Sequence, residues 1–481
     1  MDITIVGGGA AALMTALLAA RDGHRVTVLE RDTLPRQATG EDAAASAFRG
    51  SAPQVVQPHV LLSLFRLLMR EHLPDVYRDL LAAGAVESDL AAQMPPALTE
   101  RAVGPDDDRF TMLLTRRSTV DWVLGRAARA EPGVTLRTGA TVRGLLTGPG
   151  ARGPAGPRVV GVGTDVGDLR SDVVVDASGR RTRIDRWLAA IGARARPARS
   201  AECGVAYFSR HYRLRTRSGL PARPDNRTIL ALDEFTVGVW GADNDTMVVG
   251  ICPLTEDTRF RRVRDPRVFT EVLRTVAPFR GWLDVMDPIS DVFPMAGLHN
   301  TMHRLVADGA PLAPGLHAVG DSVCTTNPTL ARGLGVGLRG ALDLVEVLAE
   351  HPSDPVARAL AADRAVTEHV EPYYLDQARI DAERLRRVRA NLAGRPPRSP
   401  AAPAGPAPSV DRVGFGELAA TAPHDASLFR SLTTVKGMLA RPDDVYTDPA
   451  VVRRVRAVLD THGGTPGIAQ PDPTALHRAL R

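Results

Sequence analysis

Met1-Asp-Ile-Thr-Ile-Val-Gly-Gly-Gly-Ala-Ala-Ala12, followed after a short apolar segment by Val26-Thr-Val-Leu-Glu30, reads as strand, glycine turn, helix, strand and terminal acid. Ile3 to Val6 have the apolar character of a short buried strand. Gly7, Gly9 and Ala12 fall on the G-x-G-x-x-G/A positions, where small residues permit a tight turn and let a pyrophosphate approach the backbone. Gly8 and Ala11 lie in the same turn and share that expectation. The helix expected over residues 10–21 points its free N–H groups and the positive end of its dipole at the phosphates. Glu30 ends the second strand about 20 residues on, where a carboxylate accepts hydrogen bonds from ribose hydroxyls; Arg31 follows it. An acid there disfavours a 2′-phosphate, so FAD or NAD fits better than NADP.

Two later segments decide between those cofactors. Asp172-Val-Val-Val-Asp-Ala-Ser-Gly-Arg-Arg-Thr-Arg183 is an apolar strand running into a small-residue turn. Gly315-Leu-His-Ala-Val-Gly-Asp-Ser322 is another, followed by Asn327-Pro328 and by Arg332-Gly-Leu-Gly335, which opens an apolar helix to about residue 350. Together with the N-terminal fingerprint, these resemble the FAD-dependent monooxygenases of the para-hydroxybenzoate hydroxylase-like fold. The resemblance implies that Gly320 and Asp321 serve the ribityl chain and pyrophosphate. Pro328, Gly333, Leu334 and Gly335 would lie along the isoalloxazine edge, and Asp176 would belong to the middle flavin motif. A helix N-terminus there would stabilise negative charge near flavin N1 on reduction.

The same resemblance covers Thr115-Arg-Arg-Ser-Thr-Val-Asp-Trp-Val-Leu124, where Arg117 is the better match to the family's arginine. It places Val142, in a strand expected over 137–145, against the adenine. Phe48-Arg-Gly-Ser-Ala-Pro-Gln-Val-Val-Gln-Pro-His59 resembles the stretch carrying a flavin-contacting arginine, here Arg49, and a histidine near the active site, here His59. The likeness spans residues 1 to about 350.

The departures are informative. Ser178-Gly179 stands where many single-component members carry Asp-Gly, a pattern associated with binding both FAD and a nicotinamide donor. This sequence is closer to two-component flavin epoxidases and hydroxylases of polyketide and other specialised metabolism. It implies that NAD(P)H supplies electrons through a partner flavin reductase, with molecular oxygen as co-substrate. No second complete glycine fingerprint is present, unlike disulfide reductases and Baeyer–Villiger enzymes. Tryptophan-halogenase-like relatives use an essential lysine; Lys436 is the only lysine here, it lies far from the flavin motifs in sequence, and the Trp-rich signature is missing, so halogenation is not expected.

Composition fits a soluble enzyme. The 481 residues suffice for about three domains. The net charge of +5 rests almost wholly on arginine, abundant alongside Ala, Gly and Pro as in high-GC coding, so it does not argue for nucleic acid. The Arg-rich stretch 379–389 reads as a solvated helix face. Cys203, Cys252 and Cys324 are too few and too scattered for a disulfide framework or zinc knuckle, and a reducing cytoplasm is the expected setting. No metal-ligand spacing occurs among the twelve histidines. The chain opens on a strand without a leader, and its longest apolar run, 10–20, is too short to span a bilayer.

The expected fold is α/β: a discontinuous Rossmann-like FAD-binding domain (1–182 and 292–352) with an inserted mixed α+β substrate domain (183–291) and a C-terminal helical region. Residues 60–69 and 76–83 carry helical spacing and are expected over the substrate side. Loop composition marks 148–157. Strand-like runs cover 203–214, 228–235, 237–242 and 246–252, the last two joined by Asp243-Asn-Asp245. A strand at 292–297 is expected to return to the flavin domain. A helical segment (353–393), a Pro/Ala-rich linker (394–410) and helices at 426–439 and 449–462 complete the chain.

By resemblance, reduced FAD would react with oxygen, and a flavin C4a-hydroperoxide would deliver one atom to an electron-rich carbon as epoxide or hydroxyl. The substrate is expected to be an apolar small molecule, as in antibiotic biosynthesis, with Tyr207, Phe208, Tyr212, Phe235, Trp240 and Phe293 as candidate walls. His59 is the one catalytic candidate, as proton donor or substrate contact, against the plain reading of a structural histidine. His317 and Cys324 read as packed side chains. Two alternatives share the motifs: an FAD-dependent reductase or dehydrogenase of a C–C bond, as in geranylgeranyl reductase-like proteins, and a non-catalytic flavin-binding scaffold.

Overall fold

Five strands form a parallel sheet whose central members are buried on both faces, as expected for apolar runs such as Val173–Asp176 with helices or a second sheet covering them. In the computed structural model, the order across this sheet is Leu316–Ala318, Val173–Asp176, Asp2–Val6, Arg25–Glu30, Val134–Thr138. The structure describes all residues except 35, 97, 99–101, 103, 105, 149–154, 219, 222–228, 396–410 and 463–468. The Pro/Ala-rich linker and most of the 148–157 loop therefore lie outside the described residues.

One face of the sheet is covered by helices Ala10–Arg21, Arg117–Ala130 and Gly333–Glu350. The apolar residues of the last two meet Leu13, Met14 and Leu17 of the first in one core. Helices Ser63–His72 and Pro74–Ala82 add Phe65, Met69 and Leu80 to that core. They were expected over the substrate side; their apolar stripes instead complete the helical layer of the flavin domain. The other face carries an antiparallel sheet of Val142–Thr147, Val159–Thr164 and Gly167–Arg170. The single strand expected over 137–145 is two, because Gly139 takes φ +72° and turns the chain from one sheet to the other.

A separate antiparallel sheet orders Ile229–Ala231, Phe235–Gly241, Thr246–Pro253, Tyr207–Leu214 and Met286–Pro288. Asn244 and Asp245 both have positive φ (53° and 57°), as a tight hairpin requires and as Asn and Asp tolerate. Phe293–Met295 pairs with Tyr207–Ser209 in this sheet rather than returning to the flavin domain. The return is made one strand later: His299–His303 pairs with both Ala198–Glu202 and Cys324–Thr325.

The two units are clamped by charge. Arg116 and Asp243, both buried, form a bidentate pair with N···O distances of 2.7 and 3.0 Å; Thr119 Oγ1 donates to the same carboxylate at 2.7 Å. Burial pushes the Asp243 carboxyl up, but Arg116 outweighs it and holds the group below its usual range. The stretch 379–389 of helix Glu371–Leu392, expected to be a solvated face, exposes Arg379, Arg386, Arg387 and Arg389; on the helix's inner side Asp376, Gln377 and Asp381 are buried, and Asp381 accepts from Asn300 and Asn327 of the flavin-side segments. The C-terminal helices Ala426–Lys436 and Pro449–His462 bury Leu428, Val435, Val452 and Val455 in a core of their own, the expected apolar stripe.

Candidate functional site

The C-terminal ends of strands Asp2–Val6, Arg25–Glu30, Val173–Asp176 and Leu316–Ala318 all open at one edge of the parallel sheet, the position where doubly wound sheets bind ligands. Three remote motifs meet there. Gly7 has φ +109°, and a Cβ on it would stand 2.5 Å from the Ala177 carbonyl oxygen of the middle motif. Gly320 has φ +62°, and its Cβ would stand 2.8 Å from Ala11. Gly337 of the late helix faces the same alanine at 3.5 Å. Each motif thus uses a missing side chain to approach the next.

Around this junction the donors and acceptors suit a dinucleotide. Gly9 caps helix Ala10–Arg21 without a side-chain hydrogen bond, and space opens beyond its Cα where a Cβ would meet nothing within 4 Å. Ala12 is buried beneath it. The Glu30 carboxylate accepts from Gly8 N–H at 2.6 Å and from Asp32 N–H at 2.8 Å, which fixes it at the strand end with lone pairs free for ribose hydroxyls. Arg31 is exposed beside Asp32. Val142 is buried at the start of its strand.

The loop after residue 46 is tied into place: Ser51 Oγ donates to Asp32, and Arg181 donates to the Gly50 carbonyl at 3.1 Å. Arg49 and Arg117 converge on one acid, Asp121. Arg117 Nε lies 2.7 Å from its Oδ1, and an Arg49 nitrogen lies 3.7 Å from its Oδ2. Arg117 thus pairs locally with Asp121, whereas its neighbour Arg116 is the domain clamp on Asp243.

Asp321 carries the strongest signal. It sits opposite the N-terminus of helix Gly333–Glu350, and among the described residues its carboxylate accepts no side-chain or backbone hydrogen bond. Burial raises its pKa, while Arg117 and Arg180 pull the other way. A desolvated acid without donors is costly. Ribityl hydroxyls are the donors a flavin would bring, so the residues fit FAD. Pro328 and Leu334 flank the same helix start, and Gly335 packs against the Met438 sulfur, 3.0 Å from where a Cβ would stand.

Several residues behave otherwise than expected. The Asp176 carboxylate accepts from Ser178 N–H (3.0 Å), Ser178 Oγ (2.6 Å) and Thr182 Oγ1 (2.5 Å), so it shapes the middle loop rather than presenting itself to a ligand. Ser322 Oγ accepts from Gly179 N–H at 2.9 Å, linking that loop to the Gly-Asp turn. His59 Nδ1 donates to the Gln57 carbonyl at 2.9 Å. Burial first, then the Arg117 charge, push its pKa down to about 4. The imidazole is therefore in its neutral form at pH 7, with Nδ1 carrying the proton toward Gln57. His317 is buried with its pKa near 3, and burial pushes the Cys324 thiol up to about 12, the inert packed states expected of both.

Strand alternation sorts the candidate walls. Phe208, Tyr212 and Phe235 point into the substrate-domain core. Tyr207, Ser209 and His211 point the other way, bonding Asn327 Oδ1 (2.6 Å), Gln57 Oε1 (2.6 Å) and the Val56 carbonyl (2.9 Å). On that face Trp240 lies over Gly238 and Gly250, and Phe293 packs between Phe48 and His211. Asn327 is held in turn by Asn300 and Asp381 at 2.6 and 2.7 Å.

Asp121 and Arg180 were not singled out from sequence as part of the site. Asp121 carried a signal, its i+4 spacing from Arg117. Among the described residues no group of three His, Cys, Asp or Glu could hold a metal, and no helix is long and apolar enough to cross a membrane.

Comparison with known proteins agrees with this geometry. Residues 2–94 match the family model "FAD dependent oxidoreductase". The chain is 26% identical over 361 residues to Protein Rv3254 of Mycobacterium tuberculosis (strain ATCC 25618 / H37Rv), covering 69% of each. Among solved structures it is similar to the flavin-dependent brominase Bmp2, with a TM-score of 0.59, 15% identity and coverage of 96% of this chain and 100% of that one. It is also similar to pqsL, a probable FAD-dependent monooxygenase from Pseudomonas aeruginosa, with a TM-score of 0.57, 16% identity and coverage of 82% and 98%. The N-terminal segment thus matches the FAD-dependent oxidoreductase model, and the chain has the fold of the FAD-dependent monooxygenases.

The first glycine provides a direct check on the site. Gly7→Ala is expected to abolish stoichiometric FAD binding, since its Cβ would strike a backbone oxygen at 2.5 Å in a conformation of φ +109° that L side chains avoid. Flavin content after gel filtration reads this, and full retention would contradict it.

Proposed function

We propose that the protein is a monooxygenase that inserts one oxygen atom into an apolar small molecule, as an epoxide or a hydroxyl. The observation that carries the reading is the convergence of the three flavin motifs beside the unpartnered Asp321. Bound FAD, once reduced, supplies oxygen activation. The chain's own task is to hold, orient and exclude water.

Gly9 and the N-terminus of helix Ala10–Arg21 hold the pyrophosphate, Glu30 the adenosine ribose, Val142 the adenine edge and Asp321 the ribityl chain. Arg49 and Arg117, fixed by Asp121, neutralise charge beside the cofactor. The start of helix Gly333–Glu350 would offer its positive dipole end to a flavin held at Asp321. Trp240, Phe293 and the neutral His59 bound the substrate space, and His59 Nε2 accepts a hydrogen bond from a substrate hydroxyl. A small-molecule substrate is in keeping with pqsL, whose structure has been solved in complex with 2-aminobenzoylacetate. Electrons come from NAD(P)H through a separate flavin reductase, because Ser178 stands where direct users carry an acid. A cytoplasmic setting and a place in specialised metabolism complete the proposal.

Labelled dioxygen decides the reaction. Supplied with chemically or enzymatically reduced FAD and an apolar substrate panel, the protein is expected to transfer one labelled atom to product. Product formed under strict anoxia would assign a dehydrogenase instead. Rapid NADPH consumption by the isolated protein would overturn the reductase requirement.

A further inference from the structure

The segment Asn327-Pro-Thr-Leu-Ala-Arg332 leads into helix Gly333–Glu350, and its three polar side chains are all held by one other helix, Glu371–Leu392. Asn327 Nδ2 donates to Asp381 at 2.7 Å, Thr329 Oγ1 accepts from Gln377 at 3.2 Å, and Arg332 donates to Asp376 at 2.5 Å. Asn327, Arg332, Asp376, Gln377 and Asp381 are all buried, so a bond lost there is not made good by water.

Asn327 is the most heavily engaged of the three. Its backbone N–H donates to Asn300 Oδ1 at 2.6 Å, and its Oδ1 accepts from Tyr207 Oη at 2.6 Å and from Thr329 N–H at 3.3 Å. Asp381 in turn accepts from Asn300 Nδ2 at 2.8 Å and from Arg384 at 3.1 Å. One side chain is therefore fixed from strand Tyr207–Leu214 of the substrate sheet, from strand His299–His303 and from helix Glu371–Leu392.

Between the clamps at Asn327 and Arg332, Ala331 takes φ +55° and ψ +24°, a left-handed conformation that a residue with a Cβ adopts at a cost and keeps only where its surroundings impose it. The helix begins two residues later. Arg332 caps it without a side-chain hydrogen bond, and the N–H groups of Gly333, Leu334 and Gly335 find no acceptor among the described residues. A Cβ on Gly333 would stand 4.0 Å from Asp321 Oδ1, so these donors open beside the unpartnered carboxylate. Relaxing Ala331 to the right-handed region would redirect them.

We propose that Asn327 and Asp381 are positioning residues for the cofactor: they hold segment 327–332 in its strained shape, aim the free N–H groups of the helix start at the flavin, and so set how strongly the protein favours the reduced, anionic cofactor over the oxidised one. This rests on the flavin reading of the site.

The test uses the full chain loaded with FAD and reduced slowly by xanthine and xanthine oxidase beside an indicator dye. It reads the ratio of reduced to oxidised bound FAD at a fixed dye ratio, with thermal melting as the control of folding. Asp381→Ala is expected to lower that ratio about ten-fold, a fall of about 30 mV for a two-electron couple. The sign separates positioning from charge, because losing an anion would by itself raise the reduced fraction. Asp381→Asn, which lacks the same charge but keeps an acceptor for Asn327, should fall between Asp381→Ala and the parent. Tyr207→Phe removes one hydrogen bond to Asn327 without changing the packed ring, should lower the ratio about three-fold, and carries the test if Asp381→Ala fails to fold or to hold FAD. A ratio equal to or above the parent's in FAD-loaded Asp381→Ala, or in Tyr207→Phe where that variant carries the test, would overturn the positioning role and leave the flavin reading standing. A parent chain that takes up no FAD would sink the flavin reading and the proposal together.

Discussion

Asp321→Ala is expected to strip the protein of its flavin. The carboxylate is desolvated, lacks a protein donor and faces the N-terminus of helix Gly333–Glu350. Charge-assisted hydrogen bonds from ribityl hydroxyls would therefore be lost without replacement. Such bonds are worth on the order of 2 kcal/mol, so FAD should bind roughly thirty-fold more weakly while the fold is retained. Asp321→Asn, which keeps an acceptor, should lose less. The check is FAD titration by fluorescence quenching with circular dichroism as a folding control. Equal affinity in Asp321→Ala and the parent chain would remove Asp321 from the cofactor site.

The second large effect concerns stability. Arg332 precedes the same helix, but it turns away from the cleft. It is fully buried, bonds Asp376 at 2.5 Å and the Tyr373 carbonyl at 3.1 Å, and lies over the Tyr373 ring. Asp376→Ala would leave a guanidinium uncompensated in the interior, costing about 3–5 kcal/mol. Because the pair joins the flavin helix to helix Glu371–Leu392, FAD retention should fall with stability. The double variant Arg332→Met/Asp376→Leu removes both charges and should recover most of the loss, since apolar replacement of a buried pair is often near neutral. Urea midpoints of the three chains read this. A loss under 1 kcal/mol in Asp376→Ala would show that the pair is not desolvated in solution.

The parts of the site legible in sequence are those where backbone geometry restricts residue type. Gly7 and Gly320 have positive φ and touch another motif; only glycine satisfies both, so the fingerprint survives as a pattern. Glu30 and Asp321 end their segments at fixed offsets from those glycines. What sequence concealed depends on long-range packing. Periodicity marks Tyr207, Phe208 and Tyr212 as one strand, but which face meets the flavin is set by the elements packed behind it, here Phe260, Phe269 and Trp282.

Gly139 looks like any loop glycine until its φ of +72° is seen to split a strand. The protonation of His59 depends first on its burial, then on Arg117 and Gln57, which neither lone histidines nor local spacing reveal. The pair Gly437-Met438 is the extreme case: far from the flavin motifs in sequence, it packs in space against Ser63 and Gly335 respectively.

The account depends on three distant segments enclosing one flavin. Adding FAD to the purified chain, removing excess by gel filtration and recording the visible spectrum tests this most directly. A yellow protein with one FAD per chain is predicted. A colourless chain that quenches no FAD fluorescence at micromolar concentration would contradict it.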